Sequence, residues 1–213
     1  MNFASREEAG RRLGRFLQER NVDADLVLGL PRGGVVVAAA VAEILNRPLD
    51  VLVVRKIGHP RHREFAVGAL AEADVLLLDE VSLSQFPVPE ADLKAVMDEE
   101  RARLREYRAR FRRPAVPSPA GCAVLLVDDG LATGATAEAA ARSARKQGAR
   151  KIIVAAPVAS PEAVSRLHGV ADDVAVLFID PAFQSVGPYY REFPQIGDPE
   201  VIALLPGALP SGN

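Results

Sequence analysis

The chain has 213 residues, 49% of them apolar, enough for one α/β domain with a sizeable core. Its formal net charge of -2 argues against general nucleic-acid binding or an anionic-membrane anchor. No apolar run reaches the ~20 residues of a membrane span, Met1 to Glu8 lack the apolar core of a signal peptide, and the lone Cys122 has no internal disulfide partner, so a reducing cytoplasm is expected.

In chain order, Ser5-x-x-Glu8 reads as a capping box, and Ala9, Leu13, Phe16 and Leu17 then share one helical face. Leu26 to Leu30 is a short apolar strand, Val35 to Leu45 a helix and Val51 to Val54 a strand. Ala66 to Leu70 and Val75 to Asp79 read as two strands joined by a turn at Glu72-Ala73-Asp74. Pro89 to Arg113 is a long charged helix with Leu93, Val96, Met97, Leu104, Tyr107 and Phe111 as its apolar stripe. Its arginines, from Arg101 to Arg113, alternate with acids in the first half. This suits a solvated or oligomer-facing helix and leaves a homodimer open. Pro114 to Pro119 is a stiff linker. Strand Val124 to Val127, helix Ala137 to Gly148, strand Ile152 to Ala156, helix Pro161 to His168 and strand Val174 to Ile179 complete an alternating pattern. That pattern predicts an α/β fold, a mostly parallel sheet with helices on both faces, in a single domain over residues 1–213.

Two strand–loop–helix turns carry chemistry. After Val124-Leu125-Leu126-Val127, the chain places Asp128 and Asp129, then the small-residue loop Gly130 to Thr136, then a helix. Such a turn aims backbone N–H groups and a helix dipole at one point, where a phosphate binds. Thr133 and Thr136 add hydroxyls, and Gly130 and Gly134 allow close backbone approach. An acid pair beside an anion site suits a ligand that also brings vicinal hydroxyls or a divalent cation. Asp-Asp-Gly alone would be only a turn. A P-loop requires a lysine that this loop lacks, and a dinucleotide loop has its glycines before any acid. The second turn, Gly29 to Val35, offers Pro31, Arg32, Gly33 and Gly34 at a helix start. Both loops fall at the carboxyl ends of strands and can face one crevice.

Val124 to Thr136 resembles the phosphoribosyl-pyrophosphate (PRPP) motif of type I phosphoribosyltransferases: an apolar strand, two acids and a loop closing in Thr-Gly-x-Thr. The chain as a whole is similar to bacterial phosphoribosyltransferases of unassigned acceptor. The resemblance implies the type I fold with a hood at about residues 180–205 and a helical insertion at about 89–113. It implies that Asp128 and Asp129 hold the ribose hydroxyls and, through them or water, Mg2+. Gly130, Ala132, Thr133, Gly134, Ala135 and Thr136 take the 5′-phosphate. Pro31, Arg32, Gly33 and Gly34 take the pyrophosphate, with Arg55 and Lys56, which begin a mobile basic loop ending near Glu64. Asp128, Asp129, Arg32 and Lys56 are the implied catalytic set, and a cis Pro31–Arg32 peptide is implied in the pyrophosphate loop.

For the acceptor, Phe183, Val186 and Tyr189 are candidate walls of a base pocket; the opposing expectation is that these rings seal the domain end. Glu64 and Glu72 are candidate bases because they lie in or near the mobile loop. His59-x-x-His62 lacks further ligands for a metal site. The implied reaction is Mg2+-dependent transfer of the 5-phosphoribosyl group from PRPP to a small nitrogenous base, with release of pyrophosphate. The alternative is a PRPP- or nucleotide-binding regulator on the same fold that has lost catalysis.

Overall fold

The structure is a computed structural model that describes residues 2–111 and 118–206. Arg112, Arg113 and most of the predicted 114–119 linker lie outside the described residues. The helices are α1 (Arg6–Glu19), α2 (Gly33–Leu45), α3 (Glu80–Gln85), α4 (Glu90–Phe111), α5 (Ala135–Lys146), α6 (Pro161–Leu167) and α7 (Asp198–Leu204). The strands are β1 (Leu26–Gly29), β2 (Leu49–Val51), β3 (Val54–His59), β4 (His62–Ala71), β5 (Val75–Leu78), β6 (Ala123–Val127), β7 (Lys151–Ala159) and β8 (Asp173–Ile179). None of the described helices is long and apolar enough to cross a membrane.

Five strands form a parallel sheet in the order β2-β1-β6-β7-β8. Its strands are apolar at nearly every position because both faces are covered. Alternate residues serve opposite layers. Val27, Leu125, Val127, Ile153 and Ala155 join the layer of α1 and α2. Leu26, Leu28, Val124, Leu126, Ile152 and Val154 join the layer of α5 and α6. Strand order reverses between β1 and β6, so their carboxyl ends open a crevice there, with both chemistry-bearing loops on its rim.

A second sheet, antiparallel β3-β4-β5, is only half legible in the sequence. Arg55 to Glu64 is not a loop: most of it forms the β3–β4 hairpin, closed by a two-residue turn at Pro60-Arg61, whose Arg61 N–H donates to His59 Nδ1 at 3.2 Å. Charge conceals the strands. Between Arg55 and Glu64 only Ile57 is a buried apolar side chain, and the buried part of β4 is its far end, Val67 and Ala69 to Ala71. The predicted Val51 to Val54 strand is likewise divided, because Leu52 and Val53 carry the chain between the sheets. Val53 N–H is met there by Glu72 Oε1 at 3.0 Å. Helix α3 is an addition to the predicted elements; Asp79 caps it by accepting from Val81 and Ser82 N–H.

The stripe of α4 packs as the periodicity predicts, with Val96, Leu104 and Phe111 buried. One member breaks the apolar pattern. Glu100 is 4% exposed and bridges Arg55 Nε of β3 at 2.9 Å and Arg103 Nη1 at 2.9 Å. Several arginines of this helix also find internal acids, Arg101 with Asp74, Arg108 with Glu72 and Arg110 with Asp198. They therefore lash the helix to the hairpin sheet and to α7 as well as facing solvent. Removing a buried carboxylate from such a pair leaves a cation without compensation, at ~3 kcal/mol. Glu100→Ala is expected to lower the melting temperature by ~6–12 °C, on the scaling for a domain of this size. Glu100→Leu, which continues the apolar stripe, should lose less; thermal melts of both variants check the ordering.

Candidate active site

The acids end β6 at the switch point. Asp128 takes the first position after the strand, where its Oδ1 accepts from Asp129 N–H at 2.8 Å. The β1–α2 turn lies directly against them. A Cβ on Gly33 would stand 2.0 Å from Asp129 Oδ2, and one on Gly34 would stand 2.8 Å from both the Cα and Oδ1 of Asp128. These two glycines are therefore required for the loops to touch at all. The Pro31–Arg32 peptide is cis, as the resemblance implied.

The phosphate-type loop is pinned from below. Leu131 pairs with Ala159 at the end of β7, and Ser160 Oγ donates to Ala132 O at 2.5 Å. Gly134 adopts φ 75°, a left-handed conformation that starts α5. Its Cα-proton face meets Ala163 of α6, so a side chain there would be crowded as well as strained. The start of α5, Gly134 to Ala137, lines the crevice, where its first N–H groups lack partners within the helix; before α2, Pro31 and Arg32 line it, while Gly33 and Gly34 lie beneath, against the acids.

The crevice is an open cleft of about 1120 Å³. Pro31 and Arg32 line one side, Asp128, Asp129 and Gly130 the base, and Ala132, Thr133, Gly134, Ala135 and Thr136 the other side. Arg55, Lys56 and Glu64 of the hairpin form a further wall. Of the acceptor candidates, Val186 lies on the cleft, packed over Gly130. Phe183 and Tyr189 do not line it. They stack on each other at 5.4 Å in a cluster with Phe3 and Tyr190, and Tyr189 hydroxyl donates to Asp180 at 2.6 Å. These rings seal the domain end, where Phe3 pairs with Tyr190 and joins the chain's start to the segment after β8. Glu72 is buried away from the cleft, bound to Val53 N–H and Arg108, so its place is structural.

Three features escaped the sequence reading. Tyr107, Glu99, Glu100 and Arg103 of α4 form part of the cleft wall, a role that no local pattern marks. Arg32 is held at 3.7 Å by Asp198 of α7, which also binds Arg110. Arg6 is 7% exposed and its Nε meets Asp129 Oδ2 at 2.8 Å. A signal for Arg6 existed: it shares the apolar face of α1 with Ala9, Leu13 and Leu17, where a charge requires a partner.

Burial raises the pKa of Asp128 well above the usual carboxyl range, and the neighbouring Asp129 charge raises it further; Lys56 and Arg6 pull it down less strongly. Burial also raises Asp129, against the opposing hydrogen bond and charge of Arg6. Tyr190, whose hydroxyl donates to Asp129 O at 2.6 Å, is raised by burial and by the Asp129 charge. Ionising these buried acids thus costs stability. A carboxyl with a raised folded-state pKa is relieved of that cost as pH falls toward its ordinary value of 3.8. Asp128→Asn is expected to raise the melting temperature at neutral pH by ~2–4 °C, as ~1 kcal/mol does in a domain of this size. The gain should shrink as pH falls. Asp129→Asn should do the opposite, because it leaves the Arg6 guanidinium buried without its anion, at ~3 kcal/mol. Melts of the two variants against pH check both signs.

Known proteins agree with this architecture. The phosphoribosyl transferase domain family matches residues 3–184. A protein of Mycobacterium tuberculosis strain H37Rv named "Putative phosphoribosyl transferase Rv0571c" is 43% identical over 204 residues, covering 95% of this chain and 46% of the relative. Its counterpart in strain CDC 1551 matches equally. The chain thus spans about half the length of these curated relatives. The crystal structure of TT1426 from Thermus thermophilus superposes with a TM-score of 0.77 at 42% identity, covering 96% of this chain and 98% of that one. The match over most of its length places this chain in the phosphoribosyl transferase domain family.

Proposed function

We propose that the protein transfers the 5-phosphoribosyl group of PRPP to a small nitrogenous base and releases pyrophosphate. The observation that carries this reading is the meeting of two helix-start loops on one acid pair. One loop suits a monophosphate, the other a pyrophosphate, and the acids between them suit the two hydroxyls of the ribose that joins those groups.

Asp128 and Asp129 accept hydrogen bonds from the ribose hydroxyls and stabilise the positive charge that grows on the sugar as its C1–oxygen bond breaks. Thr133, Thr136 and the N–H groups of Gly134 and Ala135 bind the 5′-phosphate. Arg32 and Lys56, with the N–H groups at the start of α2, attract the departing pyrophosphate. Val186 borders the space left for the base, whose nitrogen forms the new bond to C1. The acids also fit Mg2+: they offer hard oxygen donors whose joint charge is incompletely compensated. Among the described residues no group of three or more His, Cys, Asp or Glu side chains is arranged for a metal. Asp128 and Asp129 would therefore hold Mg2+ together with substrate and water oxygens. When bound, the ion offsets negative charge on the pyrophosphate.

The test is a panel of nucleobases incubated with PRPP and Mg2+, following pyrophosphate release, beside calorimetry of PRPP binding. The parent is expected to bind PRPP and release pyrophosphate with at least one base. Asp128→Asn should weaken PRPP binding by at least ~10-fold, the effect of a lost charged hydrogen bond, while keeping its fold. Binding of PRPP without release for any base would favour the regulatory alternative. Parental affinity in Asp128→Asn would overturn the assignment of the sugar site.

A further inference from the structure

Arg6 stands where a helix least favours it. It occupies the first turn of α1, at the positive end of the dipole, and points along the buried face. Neither helix propensity nor solvation accounts for a cation there; its contacts do. Nε donates to Asp129 Oδ2 at 2.8 Å, and Nη1 donates to Pro194 O at 2.8 Å. The guanidinium carbon lies 3.7 Å from the centre of the Phe193 ring. Asp129 is held a second time, by Tyr190 hydroxyl on its carbonyl at 2.6 Å. Three successive elements of the segment after β8, Tyr190, Phe193 and Pro194, thus converge on one acid, two of them through Arg6.

We infer that Arg6 is a positioning residue: anchored by Phe193 and Pro194, it fixes the Asp129 carboxylate for the sugar and couples that acid to the order of the hood. The inference rests on the proposed PRPP site. A planar fork is what the geometry uses, with separate nitrogens serving the carboxylate and the carbonyl while the flat face covers a ring. A lysine supplies the charge without the fork.

The experiment measures PRPP affinity with Mg2+ by calorimetry, with thermal melts, for the parent, Arg6→Met, Arg6→Lys and the exposed control Arg15→Ala. Arg6→Met is expected to weaken PRPP by at least ~10-fold. Arg6→Lys should recover part of the affinity, and Arg15→Ala should match the parent. A folded Arg6→Met with parental affinity overturns the inference while leaving the PRPP site standing. If Arg6→Met does not fold, Arg6→Lys decides. Parental melting with affinity down at least ~5-fold supports the role of the fork. Parental affinity overturns it. A parent protein that does not bind PRPP overturns the site and this inference with it.

Discussion

No side chain fits between the start of α2 and the end of β6. That exclusion governs the site, because a single methyl group on Gly33 or Gly34 would collide with the carboxylates or with the backbone beneath them. The two loops consequently behave as one block, set by the spacing of neighbouring parallel strands and by nothing softer. Water is displaced from one side of the acids, and their ionised forms become costly. The open side faces the cleft. Any ligand that satisfies the carboxylates there recovers an interaction that the folded protein alone leaves incomplete.

The chain's two ends supply most of the compensation. Phe3 pairs with Tyr190, Arg191 N–H donates to Phe3 O, and Glu192 N–H donates to Ala4 O, so α1 begins already joined to the segment after β8. Arg6 then reaches the acid pair from a helix that otherwise packs on α2. A buried ion pair of this kind contributes little net stability against an apolar replacement, yet losing one partner is expensive. Its value lies in geometry: it selects one position for Asp129 out of those a carboxylate at a strand end can take.

Much of this is legible in the sequence, and the rest is not for physical reasons. The βαβ alternation is a strong signal because strands buried on both faces are continuously apolar, as in Val124 to Val127. The acid pair and small-residue loop are contiguous, so their chemistry can be read locally. The tip of the β3–β4 hairpin, Arg55 to Glu64, reads as a loop because it is rich in cations and holds a single buried apolar side chain, Ile57. Arg6 and Glu100 escape notice because their partners lie 123 and 45 residues away in the chain. A charged residue on an apolar stripe announces that a partner exists without naming it. The aromatic group after β8 is visible as a cluster, but which rings turn inward depends on Phe3, a residue at the other end of the chain.

Of the cations that line the cleft, Arg32, Arg55 and Lys56 differ in how readily an incoming polyanion can recruit them. Arg55 is committed: Glu100 is nearly inaccessible at 6% of its side-chain surface, and the Tyr107 ring lies 5.2 Å from the guanidinium. Withdrawing Arg55 would leave the buried Glu100 carboxylate with only the half-exposed Arg103 as its partner. Arg32 is loosely held, 39% exposed and 3.7 Å from Asp198, a contact of ~0–1 kcal/mol. Asp198 would keep Arg110 if Arg32 left. Lys56 is exposed and has no ion-pair partner among the described residues, and its field reaches Asp128. In the proposed reaction, pyrophosphate therefore draws on Lys56 and Arg32. Arg55, adjacent to Lys56 in sequence and also on the cleft, ties the hairpin that presents Lys56 to the buried Glu100 of α4, so it is recruited less readily than its neighbour.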